Sequence, residues 1–248
     1  MTLLLASMIL ATILPFNSQG TLRTVRLGDH DQKLHLYGRF AGQPIILSSG
    51  DGGWIHLAPH LADLLAAKGY FVIGFDVKSY LTTGGNGKGT LAPADVARDY
   101  GTLLRMFAAD QPAILAGVSE GAGCSVVAAS EPLNRARIAG VATFGLGERN
   151  ELAWHWKDAV IYVTKGVPDE PTFNASSFIP HVPVPIAFIR AAHDEFVPRG
   201  ESDLLVAAAA SPTHVWTIAA HDHRFSDNLS ELDHAALQAF EWIFAIHR

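Results

Sequence analysis

Short apolar runs alternate with amphipathic segments from residue 21 to the end of the chain. Runs bounded by glycine, proline or charged residues are typical of strands buried on both faces of a sheet. Six runs are predicted to be strands: QPIILSSG (43–50), YFVIGFDV (70–77), PAILAGV (112–118), IAGVATFGL (138–146), VPIAFIRAA (184–192) and HVWTIAA (214–220). Before them, LRTVRLG and KLHLYGRF predict a hairpin through the turn sequence GDHDQ.

The segments between these runs carry apolar residues at helical spacing. One helical face over residues 54–68 is formed by Trp54, Leu57, Leu61, Leu64 and Leu65, and a glycine at 69 is expected to end that helix. Further helices are predicted directly after Ser119 and over residues 92–109, 200–210 and 230–246. Strands that alternate with helices predict an α/β fold, in which a mostly parallel sheet has helices on both faces.

A chain of 248 residues suits one large α/β domain. No repeat, low-complexity tract or linker divides it, so residues 21–248 are expected to form a single domain. Residues 147–184 interrupt the alternation with aromatic residues and prolines, which predicts a short insertion over a cleft. The glycine-rich stretch 81–90 fails the spacing of a phosphate-binding loop, because Lys88 is followed by a glycine, and is expected to be a surface loop.

The first twenty residues differ from the rest of the chain. An apolar run from Thr2 to Leu14 is followed by a proline and small polar residues. The run is shorter than the roughly 20 apolar residues that span a bilayer, and it suits the core of a secretory signal cleaved after Gly20. No basic residue precedes it, so a first buried strand or an N-terminal anchor stays open as the alternative. Residues 1–20 therefore predict a periplasmic or secreted protein.

Charge and cysteine content narrow the function classes. The formal net charge is −6, and no cluster of lysine and arginine stands out. Nucleic-acid binding needs a concentrated basic footprint, so we do not expect a nucleic-acid partner. The single cysteine, Cys124, cannot form a disulfide within the chain and is interpreted as a small buried apolar side chain.

The stretch AILAGVSEGAGCSVV (113–127) contains the motif G-x-S-x-G around Ser119. This motif occurs by chance too often to identify a nucleophile by itself. Here, however, Ser119 follows a predicted strand and precedes a predicted helix, and Gly117 and Gly121 remove side chains where strand and helix crowd the turn. That context is the one required by a nucleophile elbow, so Ser119 is predicted to be a catalytic nucleophile.

A serine nucleophile needs a base and an orienting acid. Asp194 follows one predicted strand, and both His221 and His223 follow the next, which gives the chain order Ser, Asp, His of this hydrolase architecture. We predict Asp194 as the acid and His223 as the base. The alternatives that stay open are His221 as the base, and Glu148 or Asp222 as the acid. We expect no metal at the H-D-H sequence, because further ligands cannot be located.

An oxyanion hole takes one backbone N–H from the residue after the nucleophile, here Glu120, and a second from the loop after an earlier strand. The loop SSGDGGW (48–54) suits that role, with Asp51 as the predicted second donor and Gly52 as the next choice. The interpretation of this loop as an ordinary strand–helix turn also stays open. The residues predicted to line a substrate pocket are Gly52, Trp54, Trp154 and Trp156, although core packing explains the tryptophans nearly as well.

Three segments together carry a family resemblance: ILSSGDGGW (46–54), GYFVIGFDVKSYL (69–81) and GVSEGAG (117–123). In this order and spacing they resemble the bacterial virulence-protein family VirJ/AcvB, an exported branch of the α/β-hydrolases, over roughly residues 40–245. The resemblance implies an α/β-hydrolase fold and a periplasmic setting. It also implies the triad Ser119, Asp194 and His223, an oxyanion loop at Asp51, and aminoacylated phospholipids such as lysyl-phosphatidylglycerol as candidate substrates.

The chain departs from that family beside the serine, where Glu120 stands in place of the usual aromatic residue. A carboxylate there either favours a cationic group of the substrate or forms a salt bridge at the start of the helix, where the helix dipole favours it.

The sequence thus predicts a serine hydrolase that cleaves a carboxylic ester of a lipid or small metabolite and needs no cofactor. Its substrate is expected to be a small molecule or a lipid at a membrane surface. The hypothesis from a different class is a non-catalytic α/β-hydrolase-fold binding protein of the periplasm.

Overall fold

The structure is a computed structural model that describes residues 20–84, 90–155 and 171–247. Ten strands lie within these ranges: β1 Thr21–Leu27, β2 His30–Tyr37, β3 Pro44–Ser48, β4 Phe71–Phe75, β5 Ala113–Val118, β6 Ile138–Phe144, β7 Arg149–Glu151, β8 Thr172–Asn174, β9 Ile186–Ala191 and β10 Thr213–Ile218. The α-helices of the same ranges are α1 Leu57–Ala67, α2 Val77–Thr83, α3 Pro93–Phe107, α4 Glu120–Ser130, α5 Arg199–Ala208 and α6 Leu229–His247.

Eight of these strands form one sheet in the order β1-β2-β4-β3-β5-β6-β9-β10. Strand β2 runs antiparallel to both of its neighbours, and all other neighbouring pairs are parallel. Every residue of β3, β4, β5, β6 and β9 is buried, as their unbroken apolar sequences predict. The carboxyl ends of the parallel strands meet at one edge, where ligands bind in folds of this kind.

Helices cover both faces of the sheet, and two apolar cores lie between the layers. Helices α3 and α4 pack on one face, and α1 and α6 pack on the other. Burial of these two cores is the main favourable contribution to folding. The predicted α/β class, the mostly parallel sheet and the helices on both faces are confirmed.

Local chemistry sets several boundaries of these elements. Helix α3 begins with Pro93, and the carboxylate of Asp95 accepts a hydrogen bond from the N–H of Ala92 at 2.9 Å, which satisfies a donor at the helix start. After α1 the chain turns at Gly69, whose φ of 92° favours glycine, as predicted. Helix α2 was not predicted, although the side chain of Asp76 caps it by accepting from the N–H of Ser79 at 3.1 Å.

The predicted insertion over residues 147–184 contains a two-stranded antiparallel sheet of β7 and β8, followed by short 3-10 turns. A tighter turn than predicted joins β1 to β2, since β2 already begins at His30. Residues 1–19, which carry most of the predicted secretory signal, residues 85–89 of the glycine-rich stretch, and Trp156 lie outside the described residues. Within the described ranges, no helix combines the length and the apolar character that a membrane crossing requires.

Candidate active site

Ser119 lies on a sharp turn between β5 and α4, at the carboxyl edge of the sheet. Its backbone has φ 51° and ψ −119°, a conformation that is strained for any residue other than glycine. A Cβ atom at Gly117 would overlap the carbonyl oxygen of Gly121, and a Cβ atom at Gly121 would overlap the carbonyl oxygen of Ser49. Both glycines of the motif are therefore required by close backbone approach, as the sequence predicts.

Hydrogen bonds hold this turn in place. The N–H of Ser119 donates to the carbonyl oxygen of Phe144 at 2.8 Å, and the carbonyl oxygen of Ser119 accepts from the N–H of Ala122 at 2.8 Å. The N–H of Glu120 belongs to the first turn of α4, where backbone donors have no acceptor within the helix. This N–H is thus suited to bind an anionic oxygen beside Ser119.

His223 and Asp194 meet beyond the ends of β10 and β9. The Nδ1 atom of His223 lies 2.7 Å from Oδ2 of Asp194, and the two side chains are 11% and 3% exposed. The other carboxylate oxygen, Oδ1, accepts from the N–H of Phe196 at 2.9 Å and from the N–H of Val197 at 2.8 Å. Burial opposes ionisation of Asp194, but the hydrogen bonds from His223 and the two backbone N–H groups outweigh it, so the pKa of Asp194 lies below its ordinary value.

The imidazole of His223 is fixed from several sides. Its backbone N–H donates to Oε2 of Glu195 at 2.7 Å, and the ring of Phe196 meets its ring edge-on at 5.6 Å. A Cβ atom at Gly145, whose φ is 66°, would lie 2.7 Å from Cε1 of His223. A side chain at residue 145 would therefore both strain the backbone and displace the imidazole.

The alternative acid–base residues of the sequence lie elsewhere. His221 is paired with Asp227, its Nδ1 atom lying 2.7 Å from Oδ2, but its side chain is 74% exposed. The carboxylate of Asp222 accepts from the N–H groups of Arg224 and Ser226. Glu148 lines the same cavity as Ser119, but its carboxylate accepts from the N–H and the hydroxyl of Ser176. Among the candidate acids, it is Asp194 whose carboxylate contacts the imidazole of His223.

Ser119 and His223 line one cavity of about 510 Å³ at the carboxyl edge of the sheet. The loop after β3 contributes Gly50, Asp51 and Gly52 to its wall, and the predicted insertion contributes Glu148, Arg149, Asn150, Glu151 and Asn174. A Cβ atom at Gly50 would lie 3.4 Å from Cβ of Ser119, so the backbone beside Asp51 passes close to the serine. Asp51, Gly52 and Glu120 are thus at the cavity, as predicted for an oxyanion site and its surroundings.

The side chain of Glu120 does not form the salt bridge that the sequence suggested. Among the residues that the structure describes, no cation pairs with it; instead, Oε2 accepts from the N–H of Glu151 in β7 at 2.8 Å. Burial, and then the nearby carboxyl groups of Glu151 and Asp51, raise the pKa of Glu120 well above its ordinary range. These surroundings favour the neutral form of the carboxyl group, and its hydrogen bond ties the insertion to the elbow.

The tryptophans are placed by packing. The ring of Trp54 stacks on His35 at 4.8 Å, and its Nε1 atom donates to the hydroxyl of Tyr37 at 3.2 Å. Trp54 precedes α1, which begins at Leu57, and it is not among the described residues that line the cavity. The ring of Trp154 is also absent from that lining and lies 4.2 Å from Nζ of Lys78. The contacts of both tryptophans therefore agree with the packing interpretation.

Sequence reasoning missed several residues of the cavity wall. Arg149, Asn150 and Glu151 enter it because β7 pairs with β8, which lies more than twenty residues later in the chain. A three-residue strand gives no periodic signal, so the insertion was predicted without its internal pairing.

Cys124 is buried and belongs to the apolar core, and burial raises the pKa of its thiol.

Known proteins agree with this fold. The model of the family "Bacterial virulence protein (VirJ)" matches residues 43–157. No curated protein sequence matches the chain significantly. Among solved structures, dienelactone hydrolase from Anabaena variabilis is 18% identical, with a TM-score of 0.64, 92% of this chain covered and 97% of that one. Est1E from Butyrivibrio proteoclasticus is 13% identical, with a TM-score of 0.66 and coverages of 91% and 99%.

A membrane phospholipase A described as a bacterial virulence factor is 10% identical, with a TM-score of 0.66, and the alignment covers 91% of this chain and 87% of that one. At these identities the structural matches establish the fold. The family match covers the loop after β3, the turn at Ser119 and strand β7. The chain therefore has the α/β-hydrolase fold, and its residues 43–157 are similar to the VirJ family.

Proposed function

We propose that this protein is a serine hydrolase that cleaves carboxylic esters, with Ser119 as nucleophile, His223 as general base and acid, and Asp194 as the orienting carboxylate. The geometry of these three residues carries the proposal. Nδ1 of His223 lies 2.7 Å from the buried carboxylate of Asp194. His223 also lines the same cavity as Ser119, which lies on a strained turn. Strain of this kind persists where a side chain must be held in one position.

In the proposed reaction, Oγ of Ser119 attacks the ester carbonyl carbon while Nε2 of His223 takes the hydroxyl proton. The negative charge moves to the carbonyl oxygen, where the N–H groups of Glu120 and Asp51 bind it. The ionised carboxylate of Asp194 stabilises the imidazolium and fixes its tautomer. When the tetrahedral intermediate collapses, the C–O bond to the alcohol breaks and His223 gives its proton to the leaving oxygen. Water, deprotonated by His223, then attacks the acyl carbon; the bond to Oγ of Ser119 breaks, His223 returns the proton to Oγ, and the acid leaves.

The charge of the cavity favours an ester that carries an ammonium group. Its acidic side chains are Asp51, Glu120, Glu148, Glu151 and Glu201, and its arginines are Arg149 and Arg224. Even without Glu120, the four other acidic side chains exceed the two arginines in number, so an ammonium group is favoured over an anion. An amino-acid ester has such a group on its acyl part, and we propose amino-acid esters before other lipid or metabolite esters.

The first test is labelling of the purified protein with a fluorophosphonate, read by intact mass and peptide mapping. We expect one adduct on Ser119, no adduct in Ser119→Ala, and wild-type labelling in the matched control Ser230→Ala, which changes an exposed serine of α6. Turnover of short esters should disappear in Ser119→Ala and persist in the control. A folded protein that takes no label and cleaves no ester would instead indicate the non-catalytic binding protein.

We propose a periplasmic setting, because residues 1–20 have the pattern of a secretory signal. A secretory signal cleaved after Gly20 would deliver the protein to the periplasm, where phospholipid esters are accessible at the membrane surface. We expect the mature protein isolated from the periplasm to begin at Thr21, as read by N-terminal sequencing. An intact N-terminus would support an anchor in its place.

A further inference from the structure

Backbone strain in this molecule is concentrated around one site. Among the described residues, three that are not glycine have positive φ: His56, Ser119 and Phe225. Ser119 is the proposed nucleophile, and Phe225 lies two residues after His223. His56 has φ 53° and ψ −108°, close to the conformation of Ser119. Glycine would adopt this conformation without penalty, whereas a histidine holds it under strain, as residues at functional sites often do.

His56 lies between two cavities. The first is the cavity of Ser119, and a second, of about 750 Å³, lies beside it. Four residues line both: His56, Leu57, Phe196 and Arg224. The imidazole of His56 is exposed, and no hydrogen bond or ion pair to it is found within the described ranges. The strained residue therefore lies where a ligand extending from one cavity into the other would pass.

The proposed reaction assigns a direction to such a ligand. His223 must give its proton to the alcohol oxygen, so the alcohol part of the ester leaves on the histidine side. The second cavity is built around the loops that hold this histidine, since its lining includes Glu195, Asp222 and Ser226. Phe196, which packs edge-on against the imidazole of His223, forms the wall common to both cavities.

The side chains of the second cavity suit an apolar, uncharged group. Phe196 and Leu229 are large apolar residues that remain 43% and 38% exposed, and Leu57 adds a third apolar side chain. The carboxylates of Glu195 and Asp222 outnumber the single cation, Arg224, so the lining disfavours a group with negative charge. Exposed apolar surface beside a reactive centre favours binding, because a ligand that covers it removes it from water.

We propose that the second cavity is a binding site for the alcohol part of the ester, that it takes an alkyl or aromatic alcohol, and that the strained His56 positions this group between Phe196 and Leu229. The site rests on the proposed function, because the histidine side is defined by the ester-cleavage reaction. It separates the two halves of the substrate: the acid-rich cavity receives the acyl part, and the apolar cavity receives the alcohol.

Two series of esters test the proposal with the full-length purified protein. The alcohol series is methyl, butyl and octyl acetate; the acyl series is methyl acetate, butyrate and octanoate. Acid release in a pH-stat gives kcat/KM for each. In the alcohol series we expect kcat/KM to rise by roughly tenfold for every two methylene groups that become buried. In the acyl series we expect no comparable rise.

The variants are His56→Gly, His56→Ala and Leu229→Ser, with Leu204→Ser as the control. Leu204 is 73% exposed on α5 and lines neither cavity. The first three variants should lose about tenfold in the ratio of kcat/KM for octyl acetate to that for methyl acetate, and the control should keep the wild-type ratio. His56→Gly should melt at a higher temperature than His56→Ala, because only glycine adopts the backbone conformation without strain.

Three results would overturn the alcohol site while leaving the proposed function intact: turnover without any dependence on alcohol length, a dependence found in the acyl series in its place, or a dependence that survives both His56→Gly and Leu229→Ser. Failure of the proposed function has a different signature, namely no turnover of methyl acetate together with no fluorophosphonate adduct on Ser119.

Discussion

Two carboxyl groups of the candidate site, those of Asp194 and Glu120, have pKa values that move in opposite directions. Asp194 accepts hydrogen bonds from His223 and from two backbone N–H groups, and its pKa is lowered. Glu120 accepts one backbone hydrogen bond and faces other carboxyl groups, and its pKa is raised. Burial disfavours the charged form of both groups, so the donors around each carboxyl group decide its charge.

In the proposed mechanism the two groups have different tasks. An ionised Asp194 would stabilise the imidazolium of His223, whereas a neutral Glu120 would hold β7 without adding charge beside the reacting carbonyl. Groups whose environments drive their pKa values apart often divide the work of an active site in this way. The predictions below test whether the two groups are as different as their surroundings indicate.

The largest effect is expected for Asp194→Asn. The amide cannot hold the required tautomer of His223, so we expect kcat for a short ester at pH 7 to fall by about 10⁴-fold. The matched control is Asp227→Asn, which removes the acid of the exposed His221 at the same 2.7 Å spacing. Steady-state rates of the two variants make the comparison. A loss of less than tenfold in Asp194→Asn would contradict the assignment of the acid.

Glu120→Ala is expected to lower the free energy of unfolding. It removes the acceptor of the Glu151 N–H, and loss of such a hydrogen bond costs about 0.5–1.5 kcal/mol. Glu120→Gln keeps an acceptor oxygen and serves as the matched variant. Urea unfolding curves measure both, and equal stability of the alanine and glutamine variants would show that the hydrogen bond to β7 has no energetic importance.

The same two groups should give the stability of the protein opposite dependences on pH. The pKa of Glu120 is raised by folding, so its contribution is present at low pH and is lost as the pH rises through the folded-state pKa. The pKa of Asp194 is lowered by folding, so its contribution is present above the ordinary aspartate range and is lost as the pH falls through the folded-state pKa.

Urea unfolding at a series of pH values measures these contributions. In the wild-type protein we expect the free energy of unfolding to fall at high pH and at low pH. Glu120→Gln should abolish the fall at high pH, and Asp194→Asn should abolish the fall at low pH. If Glu120→Gln follows the wild-type curve at high pH, the carboxyl group of Glu120 is ionised in the folded protein after all.

The smallest effect is expected for His221→Gln. His221 is exposed, stacks on His193 at 5.2 Å and does not line the cavity of Ser119 within the described residues. We expect kcat/KM for short esters to change by less than about twofold, as is usual for surface substitutions away from a site. A loss comparable to that of His223→Gln would move the base from residue 223 to residue 221.

Features that depend on residues close together in the chain could be predicted from the sequence. The turn at Ser119 is determined by Gly117 and Gly121, and the positions of Asp194 and His223 follow from the ends of two strands, so local pattern was sufficient for them. Trp54 was assigned to a helical face by its spacing, but positive φ values at Gly53 and His56 turn the chain before α1 begins. Periodicity cannot reveal a backbone turn of that kind.

The state of Glu120 could not be predicted because its partners come from another part of the fold. Its hydrogen-bond donor is the N–H of Glu151, 31 residues later, and that residue is held in place by pairing of β7 with β8. From the sequence alone, a carboxylate at the start of a helix favoured an ionised group. The tertiary structure reverses this expectation by removing water and supplying further carboxyl groups.

The hydrogen bond between Glu120 and Glu151 also links two regions that should open on different timescales. Strand β5 is buried in the middle of an eight-stranded sheet, whereas β7 and β8 form a pair of three-residue strands, which is marginal by itself. Amide hydrogen exchange should therefore be slow along β5 and faster in β7. The exchange rate of the Glu151 amide proton should therefore report how often this wall of the cavity detaches from the elbow while the rest of the protein stays folded.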